Sequence, residues 1–356
     1  VSKEKSQFEN VVLSPAEGGV TKKNTGPGLP AGFSVGQNLE QEQSVLRSET
    51  VKSFVPSYQS GADRGAQEEK EKKARVEKEG MNYDLYLLIK EKLVGEFNKR
   101  IKEKNLLGET DIQGIYGILK RFPLNDSIKE NPELYALNSK DLQFISNNLR
   151  EFFPKIEEAD YSFLGAFVNS FIHAYFNSVP EEERKDLKLF LPNTRGLDYI
   201  GTELSFGELE ADSAEDLFGF QACGEAVLKA QKVGNRAGYL MCGEAKMEVV
   251  EAGYLFGEKA FGNAILNAQK VGNFAGLGMY GEAKMEIVEA SDYFGHTASG
   301  NANLKVKKAG NSVGRKMQGK AKIVIVESYV SINEDRKDDS QVILPDGRIL
   351  RAGDSA

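Results

Sequence analysis

The chain has 356 residues, 40% of them hydrophobic and 28% charged, with a net charge of −7. That length suits two or three units, the acidic balance argues against nucleic acid as a default partner, and no run of eighteen uncharged apolar residues offers a membrane span. Two cysteines are too few for a disulfide framework and the first residues lack the basic-then-apolar pattern of a secretory leader, so a reducing, cytoplasmic setting is expected.

Residues 1–80 read as a disordered arm or linker. Stretches such as VTKKNTGPGLPAGFSVGQ and SYQSGADRGAQEEKEKKARVEKEG are rich in Gly, Pro, Ser and charge, with too few clustered aliphatics to offset the entropy of ordering. The run EEKEKKARVEKE has the option of a polar helix, but a solvated linker is the preferred reading. Met81 opens a more foldable stretch and is a candidate natural start of the folded protein.

Residues 81–185 are expected to form a helical domain of four helices. Leu85, Ile89, Leu93, Phe97 and Ile101 recur every fourth residue, and a weaker helix is expected in TDIQGIYGILKRF. Ser139 is placed to cap a third helix carrying Leu142, Ile145, Leu149 and Phe153. A fourth carries Phe163, Leu164, Phe167, Val168, Phe171, Ile172 and Tyr175 and stops by Pro180, with His173 as a helix-packing residue.

Beyond these helices the chain is periodic. Gly224, Gly243, Gly262, Gly281, Gly300 and Gly319 are spaced by 19, and apolar residues follow each at two, four and six positions. Alternation at period two, repeated every 19 residues, predicts strands stacked in register as rungs of a parallel β-solenoid over residues 186–330, with one extra residue in the first coil. The whole is therefore an α+β multidomain chain. Two inward columns, Phe218, Ala237, Phe256, Ala275, Phe294, Val313 and Ala222, Met241, Ala260, Met279, Ala298, Met317, exchange bulk from rung to rung, so core volume stays level. Eight residues after each repeat glycine come Lys232, Glu251, Lys270, Glu289, Lys308 and Glu327, a ladder of alternating sign that fixes register. Residues 331–356 form a tail, in which VILPDGRIL predicts a short hairpin.

The motifs Gly234-Asn-Arg-Ala-Gly238-Tyr-Leu-Met241-Cys-Gly243, Gly272-Asn-Phe-Ala-Gly276-Leu-Gly-Met279-Tyr-Gly281 and Gly310-Asn-Ser-Val-Gly314-Arg-Lys-Met317-Gln-Gly319 resemble the GXGXG domain. That domain occurs at the C-terminus of the glutamate synthase large subunit and in one of the subunits of formylmethanofuran dehydrogenase. The resemblance covers about residues 187–330 and implies a right-handed parallel β-helix with a structural role, carrying over no catalytic residue. The glycine gaps here are three and four residues where the family pattern has two and three.

No chemical constellation emerges. His173 and His296 fall in different units, Cys223 and Cys242 lie on adjacent rungs within disulfide reach, and no P-loop or repeated Asp or Thr column occurs. No catalytic, cofactor or metal residue is assigned, and the chain is read as leaning away from an enzyme. One outward column, Leu204, Cys223, Cys242, Phe261 and Tyr280, is apolar and so expected to be covered, by the helical domain in the preferred reading or by a protein partner in the other. The expected role is a non-catalytic scaffold engaging a protein partner or itself. The alternative is an accessory subunit of a metabolic enzyme complex.

Overall fold

The computed structural model describes residues 61–95, 137–154 and 161–354. Ten strands stack in chain order into one sheet: β1 (Lys188–Leu191), β2 (Glu208–Ala214), β3 (Val227–Val233), β4 (Lys246–Ala252), β5 (Ile265–Val271), β6 (Lys284–Ala290), β7 (Asn303–Ala309), β8 (Lys322–Tyr329), β9 (Gln341–Ile343) and β10 (Ile349–Leu350). Pairing is parallel from β1 to β9, and β10 turns back antiparallel. Val227 faces Lys246 and Lys246 faces Ile265, which is the 19-residue register of the repeat glycines. Lys188 faces Glu208, so the first coil holds the expected extra residue.

The inward columns are where the alternation places them. Phe218, Ala237, Phe256, Ala275, Phe294 and Val313 are fully buried, and so are Ala222, Met241, Ala260, Met279, Ala298 and Met317. Phe256 therefore lies between two alanines along its column, Ala237 and Ala275, with Met241 and Met279 filling the complementary gaps. A continuous apolar interior runs from the first coil to Val342 in β9.

Close stacking explains the repeat glycine. A Cβ on Gly243 would sit 2.7 Å from the backbone nitrogen of Gly224, and one on Gly300 3.0 Å from that of Gly281. Backbone lies on backbone at this corner, in the left-handed region (φ +63° at both), so no other residue fits without moving a rung. A second corner is secured by a column that the periodicity of the apolar residues does not reveal, eleven residues after each repeat glycine. Asp216 Oδ1 accepts from Asn235 N (2.7 Å), Asn235 Oδ1 from Tyr254 N (3.0 Å), Asn273 Oδ1 from Asp292 N (3.1 Å) and Asp292 Oδ1 from Asn311 N (2.7 Å). Each short polar side chain thus satisfies a backbone donor of the next rung.

Helices close the N-terminal end. They are α1 (Gly61–Lys78), α2 (Tyr83–Leu88, continued by a π-helical turn at Ile89–Leu93), α3 (Ser139–Asn147), α4 (Leu149–Phe152), α5 (Tyr161–Asn177) and α6 (Glu181–Arg184). α1 corrects the expectation of a linker up to residue 80. Its polar face stays in water, but Val76 is fully buried, and Lys72 and Arg75 reach Glu151 on α4. Tyr86 also donates to Glu151 (2.6 Å). Burial alone would raise the Glu151 carboxyl, but the Tyr86 hydrogen bond and the Arg75 and Lys72 charges outweigh it and hold the group below the usual carboxylate range.

α3 is capped one residue earlier than expected. Asn138, not Ser139, accepts from Lys140 N (2.8 Å), and Asp141 Oδ2 accepts from Asn138 N (3.0 Å), a reciprocal capping box. The expected helix in TDIQGIYGILKRF, the positions Phe97 and Ile101, and the arm over residues 1–60 all lie outside the described residues.

α5 carries the joint between helices and solenoid. A Cβ on Gly165 would lie 1.7 Å from the Asp198 carbonyl oxygen, so the helix crosses the first coil at its one residue without a side chain. Asn169 Nδ2 donates to Thr202 O (3.2 Å), and His173 Nε2 lies 2.7 Å from the same carbonyl. Burial pushes the His173 ring below its usual pKa, partly opposed by that hydrogen bond. At the opposite end β9 adds a short rung on β8, and the hairpin around Pro345-Asp346-Gly347 returns β10 along β9. Arg336, nearly buried, ties the tail down by donating to the carbonyls of Arg351 (2.9 Å) and Asp354 (3.0 Å).

Candidate interaction faces of the solenoid

The predicted apolar stripe exists as a column, and its members differ in exposure. Leu204 is buried, flanked by Thr202 and Gly207, both of which touch α5. Cys223, Cys242 and Phe261 are half-buried, and Tyr280 is 41% exposed. Among the described residues the helices meet only the head of the stripe, because α5 docks across the end of the stack at Gly165 and its reach ends at the first coils. The rest of the helical domain expected to fold back over it, residues 96–136, lies outside the described residues.

Along the open part the residues pair rung to rung. Cys223 and Cys242 form a disulfide, their Cα atoms 4.5 Å apart, and no cysteine is left free. Phe261 and Tyr280 stack face to face with centroids 5.1 Å apart and planes 3° from parallel. In-register stacking makes both contacts possible, because equivalent positions on parallel rungs are separated by about 4.8 Å. The column turns polar at Ser299 and Gln318, so the stripe ends at Tyr280.

A second outward face was missed in the sequence. Twelve and fifteen residues after the repeat glycines lie aromatic and charged groups that stack in the same way. Phe220 stacks on Tyr239 (5.5 Å) and Phe274 on Tyr293 (4.6 Å), with His296 edge-on to both of the latter rings. Arg236 and Lys259 approach the Tyr239 ring, and Arg315 approaches Tyr293. Glu258, almost buried, is met by Arg236 at 3.3 Å. Burial, then the neighbouring Arg315 and Lys316 charges, push the His296 ring below its usual pKa, so it is neutral at pH 7. Burial, helped by the Asp198 and Asp216 carboxylates, pushes the Tyr199 hydroxyl up to about 12. The signal for this face was the recurrence of Phe, Tyr, His and Arg at two fixed offsets. The fully buried columns on either side of it masked that recurrence.

The third face is the outer surface of β3–β8, which bears the charge ladder. Lys232, Glu251, Lys270, Glu289 and Lys308 are successive neighbours in register. Glu289 and Lys308 approach to 3.5 Å. At the last rung a bulge between Val306 and Lys308 places Ser328 opposite Lys308, and Glu327 instead meets Lys307 at 2.8 Å. Among the described residues no group of three or more His, Cys, Asp or Glu side chains is placed to hold a metal ion, and no helix is long and apolar enough to cross a membrane. No family model, curated protein or solved structure matches this chain.

Proposed function

We propose that the chain is a non-catalytic scaffold that engages a protein partner through the side of its solenoid. The observation that carries this reading is the stripe from the Cys223–Cys242 disulfide to the stacked Phe261–Tyr280 pair. It is an apolar strip on the side of the stack, met by the described helices only at its head, Leu204. Aromatic groups held flat by their neighbours lose little conformational freedom on binding, which suits them as anchors. The test is a native pull-down with mass spectrometry on wild type and on the double substitution Phe261→Glu/Tyr280→Glu. The expected result is loss of captured partners with the urea unfolding midpoint nearly unchanged. A large fall in that midpoint would mean that the stripe belongs to the fold itself.

The resemblance of the three Gly-rich motifs to the GXGXG domain supports a narrower second reading, an accessory subunit of a metabolic enzyme complex. Redox or amidotransferase subunits in the same pull-down would favour it. A cytoplasmic setting belongs to the proposal too, and the Cys223–Cys242 bond is the feature that tests it, since a reducing compartment would keep these thiols free. Thiol titration of freshly isolated protein, with and without denaturant, decides that point.

A further inference from the structure

We propose that the outer face of β3–β8 is a homodimer interface, in which two copies pair antiparallel about a twofold axis set between the Lys270 and Glu289 rungs. The proposal shares the assembly reading above but uses a different face and a defined partner, a second copy of this chain.

The charge ladder has a symmetry consequence. Its signs alternate rung by rung from Lys232 to Glu327. A twofold axis parallel to the stack sets each rung against itself, and an axis through any rung sets like against like. Only an axis perpendicular to the stack and midway between rungs opposes every Lys to a Glu. Set between the Lys270 and Glu289 rungs, it pairs Lys270 with Glu289 and Glu251 with Lys308, each pair occurring twice. It also brings Lys232 over the bulged rung of β8, where Glu327 lies beside Lys307. The pattern is thus self-complementary in registers two rungs apart and repulsive one rung away from each, and the register between Lys270 and Glu289 is the one that also brings Lys232 over the rung of Glu327.

The neighbouring column gives the second observation. Preceding these six charges are Gln231, Val250, Gln269, Val288, Lys307 and Val326, so each Glu rung also carries a valine. Val288 is 42% exposed and Val326 45%, and Phe190 on β1 is another large apolar group exposed on the outside of the same sheet. In the proposed register every valine rung meets a Lys rung, whose aliphatic stems cover it while the ammonium groups reach the opposing carboxylates. Seven-residue strands across the six rungs of β3–β8 offer about 670 Å² per copy, somewhat under the roughly 800 Å² per partner of a standard protein–protein interface.

The test uses the full chain with all six signs inverted: Lys232→Glu, Glu251→Lys, Lys270→Glu, Glu289→Lys, Lys308→Glu and Glu327→Lys. Inversion preserves alternation along the ladder, and Lys307→Glu is added so that its ion pair with residue 327 is inverted too; circular dichroism and thermal melting check that the fold is retained. The wild type and the inverted chain are each expected to show twice the monomer mass by light scattering. With distinguishable tags, cross-capture between them is expected to fall by about tenfold or more relative to self-capture, because every opposed pair becomes like-charged. Free mixing, or a wild type that stays monomeric at its highest soluble concentration, overturns the proposal. If the inverted chain fails to fold, the salt dependence of the wild-type dimer decides. Weakening as NaCl rises supports ion-paired faces, and strengthening overturns them. Retention of the dimer in Phe261→Glu/Tyr280→Glu is expected, and its loss there would move self-association to the stripe.

Discussion

Phe256 and His173 belong to two regions that hold themselves together differently. Phe256 sits in a column whose members above and below obey a rule, large beside small, so its surroundings recur at Phe218 and Phe294. His173 meets Thr202 through a contact made once, in a joint where Gly165 and the Asp198 carbonyl touch and nothing repeats. Stability in the solenoid is a sum of similar neighbour terms along one dimension. In the cap it rests on a few particular contacts. Damage should therefore stay local and graded in the first region and be concentrated at the joint in the second.

The largest expected effect is in the solenoid interior. Phe256→Ala is expected to cost about 3–5 kcal/mol in urea unfolding, the range for truncating a buried ring. Adding Ala260→Met restores volume within that rung but sets three methionines in succession with Met241 and Met279, so only part of the loss should return. A loss under about 1 kcal/mol for the single substitution would be incompatible with a packed column.

Next comes the stripe. Reduction, or Cys223→Ser/Cys242→Ser, is expected to lower stability by about 3 kcal/mol, the loop-closure contribution of a bridge spanning 19 residues. Urea titrations with and without dithiothreitol measure it. No difference would mean that rung stacking alone holds these residues together.

The smallest effect sharpens the contrast at the cap. His173 has a folded pKa depressed below the usual 6.5 by burial. Its contribution is complete above about pH 6.5 and is lost as pH falls, because the unfolded chain then takes up a proton that the buried ring refuses. His173→Gln, which keeps a donor towards Thr202 O, should flatten the decline in stability below pH 6.5. Hydrogen exchange should show the effect in α5 and the first coil and leave β5–β8 untouched. An unchanged slope would remove His173 as the source.

These regions also differ in how plainly they could be read beforehand. The solenoid was legible because a period of 19 and an alternation of two impose themselves on every rung, down to which of Phe256 and Ala275 is large. The cap was less so. The Gly61–Lys78 helix is almost wholly polar, and Val76, its one buried anchor among the described side chains, leaves no stripe to detect. Asn138 and Ser139 are both good capping residues, and only the reciprocal bond to Asp141 decides between them. The Asp/Asn column from Asp216 to Asn311 is interrupted by Tyr254, which hid a function that needs one short polar side chain per corner. Of the outward faces, the stripe was found by its apolarity. The aromatic and basic face escaped because its residues change type from rung to rung.

The alternation of bulk and charge means that the unit of construction is a pair of coils. Excising residues 243–280 would join Cys242 to Gly281, setting Ala237 and Met241 beneath Phe294 and Ala298, and Lys232 beneath Glu289. Excising 243–261 alone would put Met241 under Met279 and Lys232 under Lys270. Lineages of this protein are therefore free to lengthen or shorten in even numbers of turns, while odd changes in length are penalised twice, by steric misfit inside and by repulsion outside.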